Sequence, residues 1–270
     1  MPDIVTITDA QDPRVADFLA VRERDLIGRK NRFIAEGEVV LRLLAPRADH
    51  RIRALLLSAA SAERLADVID QLPNAVQVHV AAQAVMDAIV GFHIHRGILA
   101  LVEPPPPPDP AALLAALPAR ALVVGLVGIS NHDNMGGIFR NAAAFGASAV
   151  LLDAASCDPL YRKAIRVSVG ASLIVPYARV ASGGAMLEAL EQAGFEIVSL
   201  SPSGASPLSR LERGPRVAAL FGTEGPGLPA DLLARTRTVS IPMAPGFDSL
   251  NVATTSGIVL HHLAGGTGAS

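Results

Sequence analysis

Apolar positions along this chain fall into short blocks that alternate between strand-like and helix-like spacing. In the first hundred or so residues, β-rich runs at 54–57, 76–80 and 98–102 alternate with helical stretches at 15–26, 38–44, 62–71 and 82–89. Five successive prolines, Pro104 to Pro108, then hold the backbone extended and mark a junction. Beyond them the run 121–129 is apolar without a break, as suits a strand buried on both faces. Helices are predicted at 135–145, 160–168, 185–193 and 229–235, strands at 149–152, 173–176, 196–200, 217–221 and 238–241, and a last helix at 252–262. Strands separated by helices imply a mostly parallel sheet with helices on both faces. The pattern therefore predicts a small α/β domain over 1–103, a proline-rich linker over 104–118 and a parallel-sheet domain over 119–265.

Composition narrows this picture only a little. The chain's 270 residues suffice for two cores of ordinary size. A net charge of −2 gives no global attraction to a polyanion, so any nucleic-acid contact must come from local clusters. Two such clusters exist: Arg22, Arg24, Arg29, Lys30 and Arg32, and then Arg162, Lys163 and Arg166 behind Tyr161. No apolar run reaches the roughly 18 residues of a membrane span. The N-terminus lacks a basic segment followed by an apolar one, so a cytoplasmic location and no membrane partner are expected. The single Cys157 excludes an intrachain disulfide and a multi-cysteine metal site. His93, His95, His261 and His262 have no acidic partner at ligand spacing, so no metal is expected.

In doubly wound folds, ligands gather beyond the carboxyl ends of the strands, and three unusual loops lie there. The first, ISNHDNMGGIFRNAAAFGA (129–147), offers Asn131, Asp133 and Asn134 as helix caps and Gly136-Gly137 for close backbone approach. Arg140, one helical turn on, can pair with phosphate or carboxylate at two points. Neither GxGxxG nor GxxxxGK[ST] occurs here, which weakens the dinucleotide and triphosphate readings. The second, LFGTEGPGLP (220–229), surrounds Glu224 with glycine and proline and lets a ligand lie against bare backbone. The third, IPMAPGFDSLNVATTSGIVL (241–260), turns at Pro245-Gly246 and presents Ser249 and Asn251 at a helix start. Taken singly, each also reads as an ordinary turn or a capped helix.

Taken together, the loops resemble the SpoU (TrmH) family of S-adenosylmethionine-dependent RNA methyltransferases, within the knotted SPOUT class. Asn134, Gly136, Ile138 and Arg140 match its first motif, and Gly222, Glu224, Gly225, Gly227 and Leu228 its second. Ile241-Pro242-Met243 and Ser249-Leu250-Asn251-Val252 match the third. Residues 158–171 look like this family too, and residues 28–44 resemble its ribosomal-protein-like RNA-binding domain.

The resemblance implies an α/β fold: a parallel-sheet C-terminal domain with a deep trefoil knot, plus a small N-terminal α/β RNA-binding domain. It implies S-adenosylmethionine held near Gly222, Thr223, Ile241, Met243 and Leu250. It implies a catalytic set of Asn134, Arg140, Glu224, Ser249 and Asn251. Arg140 would act on the acceptor hydroxyl or a phosphate, Asn134, Ser249 and Asn251 would orient it and the ribose, and Glu224 would fix the loop or pair with arginine. Arg29, Lys30, Arg32, Arg162, Lys163 and Arg166 are the expected RNA contacts. The implied activity is ribose 2′-O-methylation of ribosomal RNA by a homodimer. Transfer RNA is the alternative substrate, and a catalytically silent RNA-binding protein the alternative of another class. Pro245, Thr254-Thr255 and His261-His262 depart from the family pattern and bear on the cofactor pocket and the dimer contacts.

Overall fold

The structure is a computed structural model and describes residues 2–19, 26–246 and 249–265, with the backbone alone at Ile27 and Arg29. Arg22, Arg24, Phe247, Asp248, the tail after Gly265 and the side chain of Arg29 lie outside the described residues. The chain forms two compact units. The first is Met1–Pro106 with Leu160–Gly170, and the second is Pro107–Pro159 with Ala171–Ser270.

Five strands build the first unit: β1 (Ile4–Ile7), β2 (Phe33–Glu36), β3 (Arg51–Ser58), β4 (Gln77–Ala81) and β5 (Ile98–Glu103). They lie in the order β1-β4-β3-β5-β2, with β4 parallel to β1 and β3, and β5 antiparallel to β3 and β2. Ile7, Phe18, Ile34, Leu56, Met86 and Ile89 close one core on this sheet. Each such side chain contributes about 1.5–3 kcal/mol on leaving water. β1 and β2 escape a periodicity reading because four residues are too few to show a period.

The predicted helix at 15–26 is instead a short 3-10 helix, Pro13–Phe18, in the part described. Asp12 caps it through the Arg14 N–H, and Leu19 turns extended and ends it. The predicted helix at 62–71 is two pieces, Ala59–Arg64 and Ala66–Ile69, interrupted at Leu65. Helix Arg162–Val167 belongs to the first unit although it is distant in sequence. It packs on β2, and Arg162 Nη1 donates to Glu36 Oε2 at 2.7 Å.

The second unit is a seven-stranded sheet: β6 (Ala121–Leu126), β7 (Ala149–Leu152), β8 (Tyr177–Arg179), β9 (Glu196–Leu200), β10 (Ser206–Pro207), β11 (Arg216–Phe221) and β12 (Arg237–Ser240). The order is β10-β12-β9-β11-β6-β7-β8, and every pairing is parallel. All six residues of β6 are buried, which is why the sequence there shows no alternation. Gly125 in its middle is required by packing, since a Cβ there would lie 2.7 Å from Met186 Sδ. The strand expected at 173–176 is displaced: Ala171–Leu173 form a 3-10 turn and β8 begins at Tyr177. Pro176 has no N–H for a ladder, so it stands just before the strand and gives only its carbonyl, to Val150 N.

Inside the predicted linker, Pro110–Ala115 is helical, with Asp109 capping Ala112 N and Pro110 in the first turn. The Arg216 guanidinium ties its end down, donating to the carbonyls of Leu114, Leu117 and Pro118 and lying 4.3 Å over the Phe195 ring.

From β6 the chain runs outward through β7 and β8 on one side, then crosses to β9, β11 and β12 on the other. That reversal opens a crevice at the carboxyl ends of β6 and β11, where loops can hold a ligand. The last helix, Val252–Ala264, packs on helix His132–Ala144 beside this crevice. Gly137 permits the approach, because a Cβ there would meet Ala253 Cβ at 2.8 Å. Asn141 fastens it by donating to Ala253 O at 2.7 Å and to Ser256 Oγ at 2.9 Å.

One buried polar residue sets a pH dependence for the first unit. His79 on β4 is 2% exposed, and neither ring nitrogen has a hydrogen-bond partner. Burial, helped by the Arg14 charge and opposed by Asp12, holds its pKa below the ordinary value. The unfolded chain, with histidine near 6.5, therefore takes up the proton first, and stability falls as pH drops through that range. Urea unfolding at pH 7.5 and 5.5 is expected to show the acid sample less stable, with a smaller gap in His79→Leu.

Candidate active site

Three loops of the second unit meet at the crevice through side-chain amides and one carboxylate. Asn251 is the cap of the last helix, and its Oδ1 accepts from Ala253 N at 2.9 Å and Thr254 N at 3.2 Å. That fixes which way its amide faces, so Nδ2 points inward. It donates to Asn134 Oδ1 at 2.8 Å and to Glu224 Oε1 at 3.0 Å. Asn134 Nδ2 in turn donates to Glu224 Oε1 at 2.7 Å. The three side chains thus form a closed ring. Its members follow β6, β11 and β12, and only Asn134 among them is buried.

Glycines shape the loop that carries Glu224. A Cβ on Gly222 would lie 2.4 Å from the backbone of Gly227 and Leu228, so no side chain fits there. Gly225 and Gly227 adopt φ of +88° and +71°, in the left-handed region. Thr223 closes the turn, its carbonyl accepting from Gly227 N at 3.1 Å. Gly128, at φ +70°, lets the β6 loop come against Thr223, whose Cγ2 would be 2.6 Å from an added Cβ.

Two cavities share this wall. Taken with the open solvent at its mouth, the larger is a cleft of about 710 Å³. Gly222, Thr223, Ile241, Met243 and Leu250, the five residues expected near a cofactor, all line it, as do Glu224 and Ser249. Leu200, Phe221 and Val252 add apolar surface. The smaller cavity, about 480 Å³, is lined by Gly128, Ile129, Ser130, Asn131, Asn134, Thr223, Glu224 and Val252. Thr223, Glu224 and Val252 belong to both. An apolar cleft with bare backbone on one side suits a flat heterocycle with polar edges, while the smaller cavity has amide and hydroxyl groups in its walls.

Other expected residues fall elsewhere. Arg140 is exposed, lines neither cavity and makes no hydrogen bond or ion pair with a described residue. Six helical positions separate it from Asn134, which turns it about 240° around the axis. Ser249 lies on the cleft wall, and Asn251 alone caps the helix. Of the unusual residues in the third loop, Thr255 lines the cleft and bonds Asn251 O through its hydroxyl, whereas Thr254 and Pro245 do not line it.

In the first unit, Lys30 pairs with Asp17, and Arg32 with Asp17 at 2.9 Å and Glu103 at 3.3 Å. Arg162 pairs with Glu36 at 2.7 Å, Arg166 approaches the same carboxylate at 3.8 Å, and Lys163 is exposed. Among the described residues no cluster could hold a metal ion, and no helix is long and apolar enough to cross a membrane.

Sequence reading overlooked Ser201 and Pro202 of the cleft, although they follow β9 at the same sheet end. It also overlooked the brace beneath the β6 loop. Asp153 Oδ1 accepts from Gly128 N at 3.0 Å, Ser156 N at 2.9 Å and Ser156 Oγ at 2.7 Å. Ser156 Oγ also accepts from Ile129 N at 3.1 Å. Both side chains are buried, so the backbone leading to Asn131 and Asn134 is held by groups largely withdrawn from water.

The chain matches the model of the SpoU rRNA Methylase family over residues 121–261. It is 38% identical to an uncharacterized tRNA/rRNA methyltransferase of Mycobacterium bovis, over 98% of this chain and 96% of the relative. Its fold is similar to that of an AdoMet-bound rRNA methyltransferase from Sinorhizobium meliloti, with a TM-score of 0.83 and 24% identity over 98% of this chain and 99% of that one. An RNA 2′-O ribose methyltransferase aligns with a TM-score of 0.76 and 26% identity, over 96% and 98% of the two chains.

Removing the Asp153 carboxylate takes the acceptor from the buried Gly128 N–H and leaves the Ser156 donors only their longer bonds to the Asp153 and Leu126 carbonyls, both at 3.3 Å. Asp153→Ala is expected to cost about 3 kcal/mol in urea unfolding, whereas Asp153→Asn keeps an acceptor in place and should cost much less.

Proposed function

This chain belongs to the SpoU rRNA Methylase family, and on that premise we propose that it methylates a ribose 2′-hydroxyl of RNA, with ribosomal RNA as the substrate class. The observation that carries this reading is the pair of cavities sharing Thr223, Glu224 and Val252 as one wall. Group transfer needs a donor and an acceptor held about 3 Å apart and in line, and a common wall allows that.

The larger cleft fits S-adenosylmethionine. Ile241, Met243 and Leu250 supply an apolar seat, and Gly222 brings backbone to the edge of an adenine where a side chain cannot stand. When bound, this cofactor supplies an electrophilic sulfonium methyl. The acceptor ribose belongs in the smaller cavity, beside Ser130, Asn131 and Asn134. Glu224 gives Oε1 to both ring amides and leaves Oε2 without a donor among the described residues. That atom takes the proton of the hydroxyl. Arginine keeps its own proton, so Arg140 holds a phosphate or the hydroxyl and does not act as base.

Arg140 stands away from the ring on its own chain, and a homodimer belongs to this reading for that reason. Ile258, 40% exposed on the last helix, would be covered at such an interface. A knotted path of the C-terminal segment likewise belongs to the family reading.

Arg140→Ala is expected to lower methyl transfer into unmodified ribosomal RNA by a hundredfold or more, on the order of an electrostatic contact to the reacting group. Calorimetric affinity for S-adenosylmethionine should stay near wild type, and undiminished transfer would remove Arg140 from the mechanism. Light scattering is expected to give about twice the 28.0 kDa of one chain.

A further inference from the structure

One loop of the first unit is built unlike the rest of its surface. Residues 91–97 read GFHIHRG, and Phe92 is the single phenylalanine among the described residues that is exposed, at 38%. The Arg162 guanidinium lies 4.5 Å over its ring centroid, and the pairing with Glu36 holds that guanidinium still. One face of the ring is thereby covered by a fixed cation.

The loop is braced from below. Asp87 accepts from Ile94 N at 3.0 Å and Gln83 Nε2 at 2.7 Å, and lies 2.8 Å from His93 Nδ1. Gln83 also donates to Ile94 O at 2.8 Å, and Ile94 is buried. His93 and His95 stand edge to face with centroids 4.8 Å apart, both exposed. Arg96 reaches the neighbourhood of Gly37, and Arg166 is 52% exposed beside Glu36. An apolar ring held rigid in water, rimmed by further rings and by cations, has the parts of a base-stacking site.

We propose that this loop, with Arg162, is a stacking platform for an unpaired RNA base. The base lies against Phe92 and the flanking phosphates meet Arg96 and Arg166. The inference rests on the reading of the chain as an RNA methyltransferase and names where its substrate is gripped.

The test uses the full chain, a short labelled single-stranded RNA of mixed sequence, and the same backbone with abasic sugars, followed by fluorescence anisotropy. Phe92→Ala is expected to raise Kd for the base-bearing strand on the order of tenfold and to leave Kd for the abasic strand unchanged, while Phe92→Tyr restores binding. Arg166→Ala should weaken both strands alike and reduce the salt slope by about 1. Urea unfolding and calorimetric S-adenosylmethionine binding, unchanged in every variant, show that both units are intact. If Phe92→Ala binds the base-bearing strand as wild type does, with an unchanged KM for RNA in methyl transfer, the platform is wrong and the enzyme reading stands. If the wild-type chain binds neither strand, both fail.

Discussion

Asn134, Glu224 and Asn251 satisfy one another's hydrogen bonds, and the shape of the crevice depends on that closure. The order of dependence runs one way. Helix capping consumes Asn251 Oδ1, which leaves only its Nδ2 for the ring. Asn134 must then present Oδ1 to Asn251 and Nδ2 to Glu224, so the carboxylate oxygen receives two donors. A local helix-end requirement thereby fixes the orientation of groups drawn from two other loops.

The sheet makes this meeting possible. Parallel strands send the β6, β9, β11 and β12 loops to one edge, and the reversal of strand order between β6 and β11 leaves space there. Missing side chains do the rest. Gly137 admits the last helix, Gly128 admits Thr223, and Gly222 admits the returning strand of its own loop. An added methyl group would meet a side-chain carbon at Gly137 and Gly128 and backbone at Gly222, and together these positions let the loops come within hydrogen-bonding reach.

Much of this was legible in the sequence, for reasons that differ by element. β6 declared itself because burial on both faces writes an unbroken apolar run, and β7 and β9 appear at the limits read from pattern alone. The glycine- and proline-rich loops were visible because those residues report backbone geometry directly. The Asp153 brace was not, since its partner is a backbone N–H 25 residues away and nothing in a local pattern records it. β8 was misplaced by a few residues because Pro176 lends an apolar run a strand-like look while being unable to enter the ladder. Helix Arg162–Val167 is legible as a helix, but its packing on β2, with an ion pair spanning 126 residues, is not recorded in any local pattern. The ring itself lay between these cases: its members stood out singly, and their mutual bonding needed coordinates.

The separation of Asn134 from Asn251, 117 residues, has a consequence in time. Chains are made at about 5–20 residues per second, so on the order of ten seconds pass between the synthesis of one ring member and the other. During that interval β6, β7, β9 and β11 can pair and Asn134 Nδ2 can meet Glu224, yet Asn134 Oδ1 has no Asn251 to accept from. The crevice is thus a late product of the ribosome, completed only when the final helix arrives to be capped. A nascent chain stopped short of Asn251 would carry most of the sheet and only the Asn134–Glu224 side of the ring.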